Sequence, residues 1–280
     1  MFEIKGIDVT EKEVVDEELT LYFSMNENQL FHYFEPELGL FVVESPMVIE
    51  RALMSGYEPR SFVMIDSVAD EICKKFESML VTCGIADSKI PVYVADYETI
   101  AGMTGVNITR GVLALMKRKP SPTLAEIVGG CRRIAVFDDV ENPTNVGAMF
   151  RSAAALGIEA IVLTGASSDP LYRRASRVSV GTVFQVPWTK LPKGKAYVDE
   201  LQSLGFKTAA MALTDDSVSI DDKRLLQEDR LAIILGNEGF GLSEEVINAS
   251  DYVVKIPMQN NVDSLNVAAA SSIAFWEIMK

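Results

Sequence analysis

The residues best suited to chemistry in this chain stand at three junctions where an apolar, strand-like run gives way to a helix-like one. The first runs Phe137-Asp138-Asp139-Val140-Glu141-Asn142-Pro143-Thr144-Asn145-Val146-Gly147-Ala148-Met149-Phe150-Arg151. Its helical part is apolar nearly all round, so a single guanidinium there calls for a paired or functional role rather than a plain surface one. Gly147 lets a ligand or another backbone come close. The second junction is Leu231-Ala232-Ile233-Ile234-Leu235-Gly236-Asn237-Glu238-Gly239-Phe240-Gly241-Leu242-Ser243. A continuous apolar strand of this kind suits a parallel sheet that binds ligands outside its carboxyl end. Its glycines follow G-x-x-G-x-G, which is not the dinucleotide fingerprint, and Glu238 would repel a phosphate. A loop reading a neutral ring such as adenine fits better. The third is Ile256-Pro257-Met258, a polar loop, and then Ser264-Leu265-Asn266-Val267 opening an apolar helix, with Ser264 as the expected cap. Polar loops of one kind at three strand-to-helix junctions point to one site.

Composition narrows the chemistry further. One histidine, His32, lies in an aromatic stretch where packing or capping is expected of it, which removes a Ser-His-Asp triad and a multi-histidine metal site. Cys73, Cys83 and Cys131 are widely spaced with no C-x-x-C pair, so buried thiols are expected and neither a disulfide framework nor any metal site. No apolar run reaches the roughly 18 residues of a membrane span, and no signal peptide opens the chain, so a cytoplasmic protein is expected.

The net charge of −14 argues against a purely electrostatic nucleic-acid binder. The distribution is uneven. Residues 132–195 reverse the sign, with nine basic against five acidic side chains, and this positive block surrounds the first junction.

The elements that must position these residues fall into two α/β series across the 280 residues. Residues 1–18 read as an acidic arm or short helix. Strands are expected at 39–43, 61–65, 91–94 and 111–116, with helices at 45–55, capped by Ser45, and at 70–80. Two prolines and three charges make 117–122 the linker candidate. Beyond it, strands are expected at 133–137, 160–164, 182–186, 207–212, 231–235 and 252–256. Helices are expected at about 146–156, 195–204, 243–249 and 264–279.

In this order and spacing, Asn145-x-Gly147-x-x-x-Arg151, Leu235-Gly236-Asn237-Glu238-Gly239, and Ile256-Pro257-Met258 with Ser264-Leu265-Asn266-Val267 resemble the SpoU (TrmH) family of RNA 2′-O-ribose methyltransferases, of the SPOUT class. The resemblance spans about 132–280, and residues 169–184 also look like the family's middle region. It implies an α/β-knot, a parallel sheet flanked by helices with a deep trefoil knot. It also implies bound S-adenosylmethionine (SAM) and a homodimer with a composite site. By resemblance, Gly236, Ile256, Met258 and Leu265 line the adenosine pocket, with Leu213 or Thr214 as its third wall. Asn145, Arg151, Glu238, Ser264 and Asn266 form the polar, catalytic set around the ribose. Arg151 has been regarded as the family's proton acceptor, but a guanidinium keeps its proton in proteins, so stabilising the developing alkoxide is the role preferred here. Arg173, Arg174 and Arg177 are the candidate RNA-phosphate contacts.

The expected domains are residues 1–118, a small α/β domain similar to the family's ribosomal-protein-like RNA-binding domain; a linker, 119–131; and the knotted methyltransferase domain, 132–280. The expected substrate is ribosomal in preference to transfer RNA. Two departures from the family pattern are the polar run Asn260 to Asp263, where many relatives have glycine, and the acidic net charge. The alternatives are a non-catalytic RNA-binding or ribosome-assembly factor that keeps the fold, and a nucleotide-dependent oxidoreductase, which lacks its phosphate fingerprint.

Overall fold

In the computed structural model, residues 2–7, 17–32, 39–85, 89–104, 110–192, 196–260 and 262–280 are described. They fall into two compact units: Met1–Pro120 together with Leu171–Phe184, and Ser121–Pro170 together with Gln185–Lys280.

The first unit begins with β1 (Phe2–Gly6), α1 (Glu17–Phe23), α2 (Glu27–Phe31), β2 (Leu40–Glu44) and α3 (Pro46–Met54). It continues with β3 (Pro59–Ile65), α4 (Asp66–Thr82), β4 (Ile90–Ala95), α5 (Tyr97–Thr104) and β5 (Val112–Lys117). Its five-stranded sheet has the order β1-β4-β3-β5-β2, with β2 and β5 antiparallel to their neighbours. Within the expected N-terminal arm, Phe2–Gly6 form a strand. β1 pairs parallel with β4, and Phe2 meets the buried Phe62 edge-on at 5.7 Å, a pairing that charge composition could not reveal. Ser45 precedes α3 as expected but makes no side-chain cap, and its φ of 92° turns the chain sharply into Pro46. The buried Tyr22 hydroxyl ties α1 to the sheet, bonding Ser61 Oγ and accepting from the Leu115 amide, both at 2.9 Å. His32 is the C-cap of α2 and packs edge-on against Phe31.

The second unit opens with α6 (Leu124–Val128), β6 (Arg133–Phe137), α7 (Pro143–Leu156) and β7 (Ala160–Leu163). The chain then contributes α8 (Arg173–Val178) and a 3-10 turn, Thr182–Phe184, to the first unit. The second resumes with β8 (Trp188–Lys190), α9 (Tyr197–Ser203), β9 (Lys207–Met211), β10 (Val218–Ser219) and α10 (Lys223–Gln227). It ends with β11 (Leu231–Leu235), α11 (Glu244–Ala249), β12 (Tyr252–Lys255) and α12 (Val267–Ile278). The seven strands are all parallel, in the order β10-β12-β9-β11-β6-β7-β8. β6 and β11 lie at the centre with all five residues of each buried, which is why both read as unbroken apolar runs.

Three expectations change here. The proposed linker 119–131 is not a linker: Thr123 and Glu126 form a capping box, and Leu124 and Val128 of α6 sit in the core of the second unit. The unit boundary accordingly falls at 120/121 rather than 118. No strand forms at 182–186, because Val180 and Gly181 both take positive φ and turn the chain; the strand comes later, as β8. Residues 171–184 belong with the first unit through a buried charge. Glu44 is fully buried, and Arg173 holds it with Nε at 3.0 Å and Nη2 at 2.9 Å, with Arg177 at 3.4 Å.

Candidate active site

Parallel pairing puts the carboxyl ends of β12, β9, β11 and β6 along one edge of the sheet, in that order. The loops after the first three of these strands carry Ile256 and Met258, Leu213 and Thr214, and Gly236. Five of the six expected cofactor residues therefore leave adjacent strands at the same end, and the sixth, Leu265, sits just before α12. Leu213 and Leu265 are 62% and 39% exposed, so two large apolar side chains stand open at this edge. Thr214 is less suited to form a wall. Its amide and hydroxyl both engage Ser217 Oγ, at 2.7 and 3.0 Å, closing a tight turn that presents Leu213.

The loop after β11 is rigid for identifiable reasons. Asn237 Oδ1 accepts from the amides of Gly239 and Phe240 at 2.8 and 3.1 Å, its Nδ2 donates to the Asp139 carbonyl at 2.9 Å, and its own carbonyl accepts from the Gly241 amide at 3.0 Å. A Cβ on Gly236 would lie 2.6 Å from the Gly241 carbonyl carbon and 2.7 Å from the Leu242 nitrogen, so only glycine lets the loop close on itself. Sequence reasoning passed over Asn237, although Asn-x-Gly is the pattern of a side chain folding its own turn.

This turn aims Glu238 at α7. Asn266 Nδ2 donates to Asn145 Oδ1 at 3.2 Å, and Asn145 Nδ2 donates to Glu238 Oε1 at 2.7 Å. Three of the five expected polar residues thus form one directional chain that ends on a carboxylate. Asn145 is 8% exposed; a buried amide keeps this orientation because both of its ends are satisfied. Ser264 is not the cap of α12. Asn142 caps α7 by accepting from the Thr144 amide, and Asn266 caps α12 by accepting from Ala268. Asn266 therefore both starts the helix and holds Asn145, while Ser264 lies exposed in the preceding loop.

Arg151 is not brought to this chain. α7 is two-faced rather than buried all round. Val146, Met149, Phe150 and Ala153 face the core, with Phe150 edge-on to Phe137 at 5.7 Å, while Arg151 and Ala155 are exposed. Six residues from Asn145 is almost two turns, which places Arg151 on another face. Nearby, Ser152 and Ser272 join α7 to α12 at 2.8 Å. The outer side of α12 leaves Ala269, Ile273 and Trp276 exposed at helical spacing. Among the candidate RNA contacts, Arg173 and Arg177 both pair with buried Glu44, while Arg174 and Arg177 are exposed. Among the described residues no cluster of three His, Cys, Asp or Glu side chains could hold a metal ion, and no helix is long and apolar enough to cross a membrane.

Such a parallel sheet, with glycine-closed loops beside an amide–carboxylate chain, defines an α/β protein whose ligand site lies at the carboxyl edge. Comparison with known proteins gives the family. The model of the SpoU rRNA methylase family matches residues 132–276. An uncharacterized tRNA/rRNA methyltransferase of Mycobacterium tuberculosis is 34% identical over 240 residues, 85% of this chain and 80% of that protein. Two solved structures share the fold. The AdoMet-bound rRNA methyltransferase from Sinorhizobium meliloti has a TM-score of 0.78 at 21% identity, over 98% of this chain and 97% of that one. The SpoU methyltransferase AviRb from Streptomyces viridochromogenes, in complex with AdoMet, has a TM-score of 0.76 at 20% identity, over 94% and 98%. The chain belongs to the SpoU rRNA methylase family and is an RNA methyltransferase.

Proposed function

We propose that this protein transfers a methyl group from S-adenosylmethionine to a ribose 2′-hydroxyl of RNA, with ribosomal RNA as the favoured substrate. The observation that carries the reading is the chain Asn266–Asn145–Glu238, set beside three loops from adjacent parallel strands. The residues of those loops fit the cofactor. Backbone groups around Gly236 can read a neutral heteroaromatic ring, and Leu213 and Leu265 offer open apolar surface to its faces. Ile256 and Met258, both part-exposed, complete that wall. When bound, SAM supplies a methyl group on a sulfonium, already a good leaving group.

The protein's task is then mainly to align the hydroxyl and handle one proton. Glu238 is the acceptor to which the amide chain points. Asn145 and Asn266 hold it in place, and exposed Ser264 is free to meet the ribose side. Arg151 completes the set only if a second copy presents it. Its exposure, next to the uncovered Ala269–Ile273–Trp276 stripe, supports a homodimer in which each Arg151 serves the partner's site. There the guanidinium would stabilise the developing alkoxide and the adjacent phosphate. The family's trefoil knot belongs to the same reading, as does a cytoplasmic location. So does an RNA-holding role for the first unit, with Arg174 and Arg177 as phosphate contacts.

Calorimetry with SAM and with NAD, followed by transfer of labelled methyl to ribosomal RNA, tests the proposal. SAM binding with label in ribose is expected. NAD binding, or SAM binding with no transfer to any RNA, would overturn it.

A further inference from the structure

The same turn that aims Glu238 at Asn145 presents an aromatic ring two residues later. Phe240 is 95% exposed, the largest exposure of any large apolar side chain described. It is not on a loose loop, because its amide and that of Gly239 are both held by Asn237 Oδ1, and Gly241 takes a φ of +70° to close the turn. A rigid turn presenting a bare ring to water gains nothing for folding. The ring stands at the mouth of a cavity of about 560 Å³, large enough for a nucleoside. None of the six expected cofactor residues lines it, although the β11 loop borders both.

The lining is chemically one-sided. Asp138 and Tyr197 lie deeper in the wall, and Glu141, Asp199 and Glu245 are exposed around it. Burial pushes the Asp138 carboxyl up. Asp139 is partly committed, since Thr164 Oγ1 and the Ala166 amide both donate to its Oδ1 at 2.8 and 3.2 Å. Acceptors so arranged reject phosphate and favour a neutral group that presents donors. Among the RNA bases, only guanine has two adjacent donors, N1–H and the 2-amino group, on its pairing edge, which a carboxylate accepts in parallel. A purine face stacks well on a phenyl ring, and an enzyme acting on one nucleotide must take it out of its stack.

We propose that this cavity receives the base of the methylated nucleotide and selects guanine. Phe240 stacks on the base, and the cavity's carboxylates accept from its N1–H and 2-amino edge. The inference rests on the ribose-methylation reading, since it places the base beside the ribose that Glu238 serves.

Two measurements on the full chain separate the proposals. The first is binding of guanosine, inosine, adenosine, cytidine and uridine 5′-monophosphates by saturation-transfer NMR, for wild type and Phe240→Ala. Guanosine monophosphate is expected to bind best. Affinity should fall about fivefold or more in Phe240→Ala, and also for inosine, which lacks the 2-amino group. Equal binding of all five nucleotides, no binding of the guanosine form, or indifference to Phe240→Ala would overturn it. So would a changed oligomeric state of Phe240→Ala, which would make the ring an interface residue. The second is the identity of the methylated nucleoside after reaction with ribosomal RNA. 2′-O-methylguanosine is expected; another 2′-O-methylnucleoside would overturn the guanine assignment while leaving ribose methylation standing. Phe240-dependent guanosine binding without any ribose methylation would uphold the cavity and overturn the methylation reading instead.

Discussion

Asn145 makes its two bonds in opposite senses, accepting from Asn266 and donating to Glu238, so its amide acts as a relay between a helix start and a carboxylate. Replacing Glu238 by Gln keeps the shape and removes the charge. Turnover should fall about 10²- to 10⁴-fold with SAM affinity little changed, read by labelled-methyl transfer and calorimetry. The role proposed for Arg151 is a different one. Arg151→Lys keeps a positive charge but loses the planar fork that grips a phosphate or alkoxide, so most turnover should be lost while SAM still binds. Wild-type turnover in that variant would remove Arg151 from the site. Asn145, Glu238 and Asn266 were singled out through the family resemblance, and the structure joins these three in one hydrogen-bonded chain. Asn237 was not legible in the sequence, because its function is to fold a turn rather than to touch a ligand. Nor was the exposure of Arg151: apolar neighbours on a helix do not say which of them a sheet will cover.

At the scale of elements, the site depends on how tightly the β11 loop closes and how firmly β9 and the start of β12 are joined. Gly236→Ala would force the loop away from Gly241, so SAM affinity should drop at least tenfold in calorimetry, with a lower thermal midpoint. Asp251, just before β12, is bonded by Lys207 Nζ at 2.6 Å and by the Thr208 amide and hydroxyl, each at 3.0 Å. Burial opposes its charge, but Lys207, Thr208 and Gln202 outweigh it and hold the carboxyl below its usual range. A depressed folded value means that the stabilisation is present above the unfolded value near pH 4 and is lost as pH falls through the folded one. Asp251→Asn should therefore destabilise by about 1 kcal/mol at pH 7, with the gap closing below about pH 4 in urea titrations. The central strands were readable as apolar runs, and β6, β9, β11 and β12 fall within a residue of their expected ends. The elements that escaped are short or non-local. α6 lay in a charged, proline-containing stretch, and α8 is fixed by Glu44, 129 residues earlier in the chain, a pairing that no local pattern can carry.

For the whole molecule, the second unit on its own holds the amide–carboxylate chain but leaves Arg151 and an apolar stripe on α12 uncovered. Trp276→Glu should convert a dimer to monomers in light scattering and abolish methyl transfer, with the thermal midpoint of the remaining monomer nearly unchanged because Trp276 is 58% exposed in the single chain. The parallel sheet and the two-unit plan could be read from alternating apolar runs, whereas the knot and the dimer are expectations that rest on the family resemblance alone. The claim on which the rest depends is that the loops of β9, β11 and β12 hold SAM beside a ribose hydroxyl. The most direct test is mass spectrometry of nuclease-digested ribosomal RNA after incubation with the purified protein and isotopically labelled SAM. Label confined to a single 2′-O-methylnucleoside, and absent with Glu238→Gln, is the expected result. Label on a base, or none in any nucleoside although SAM binds, would contradict it.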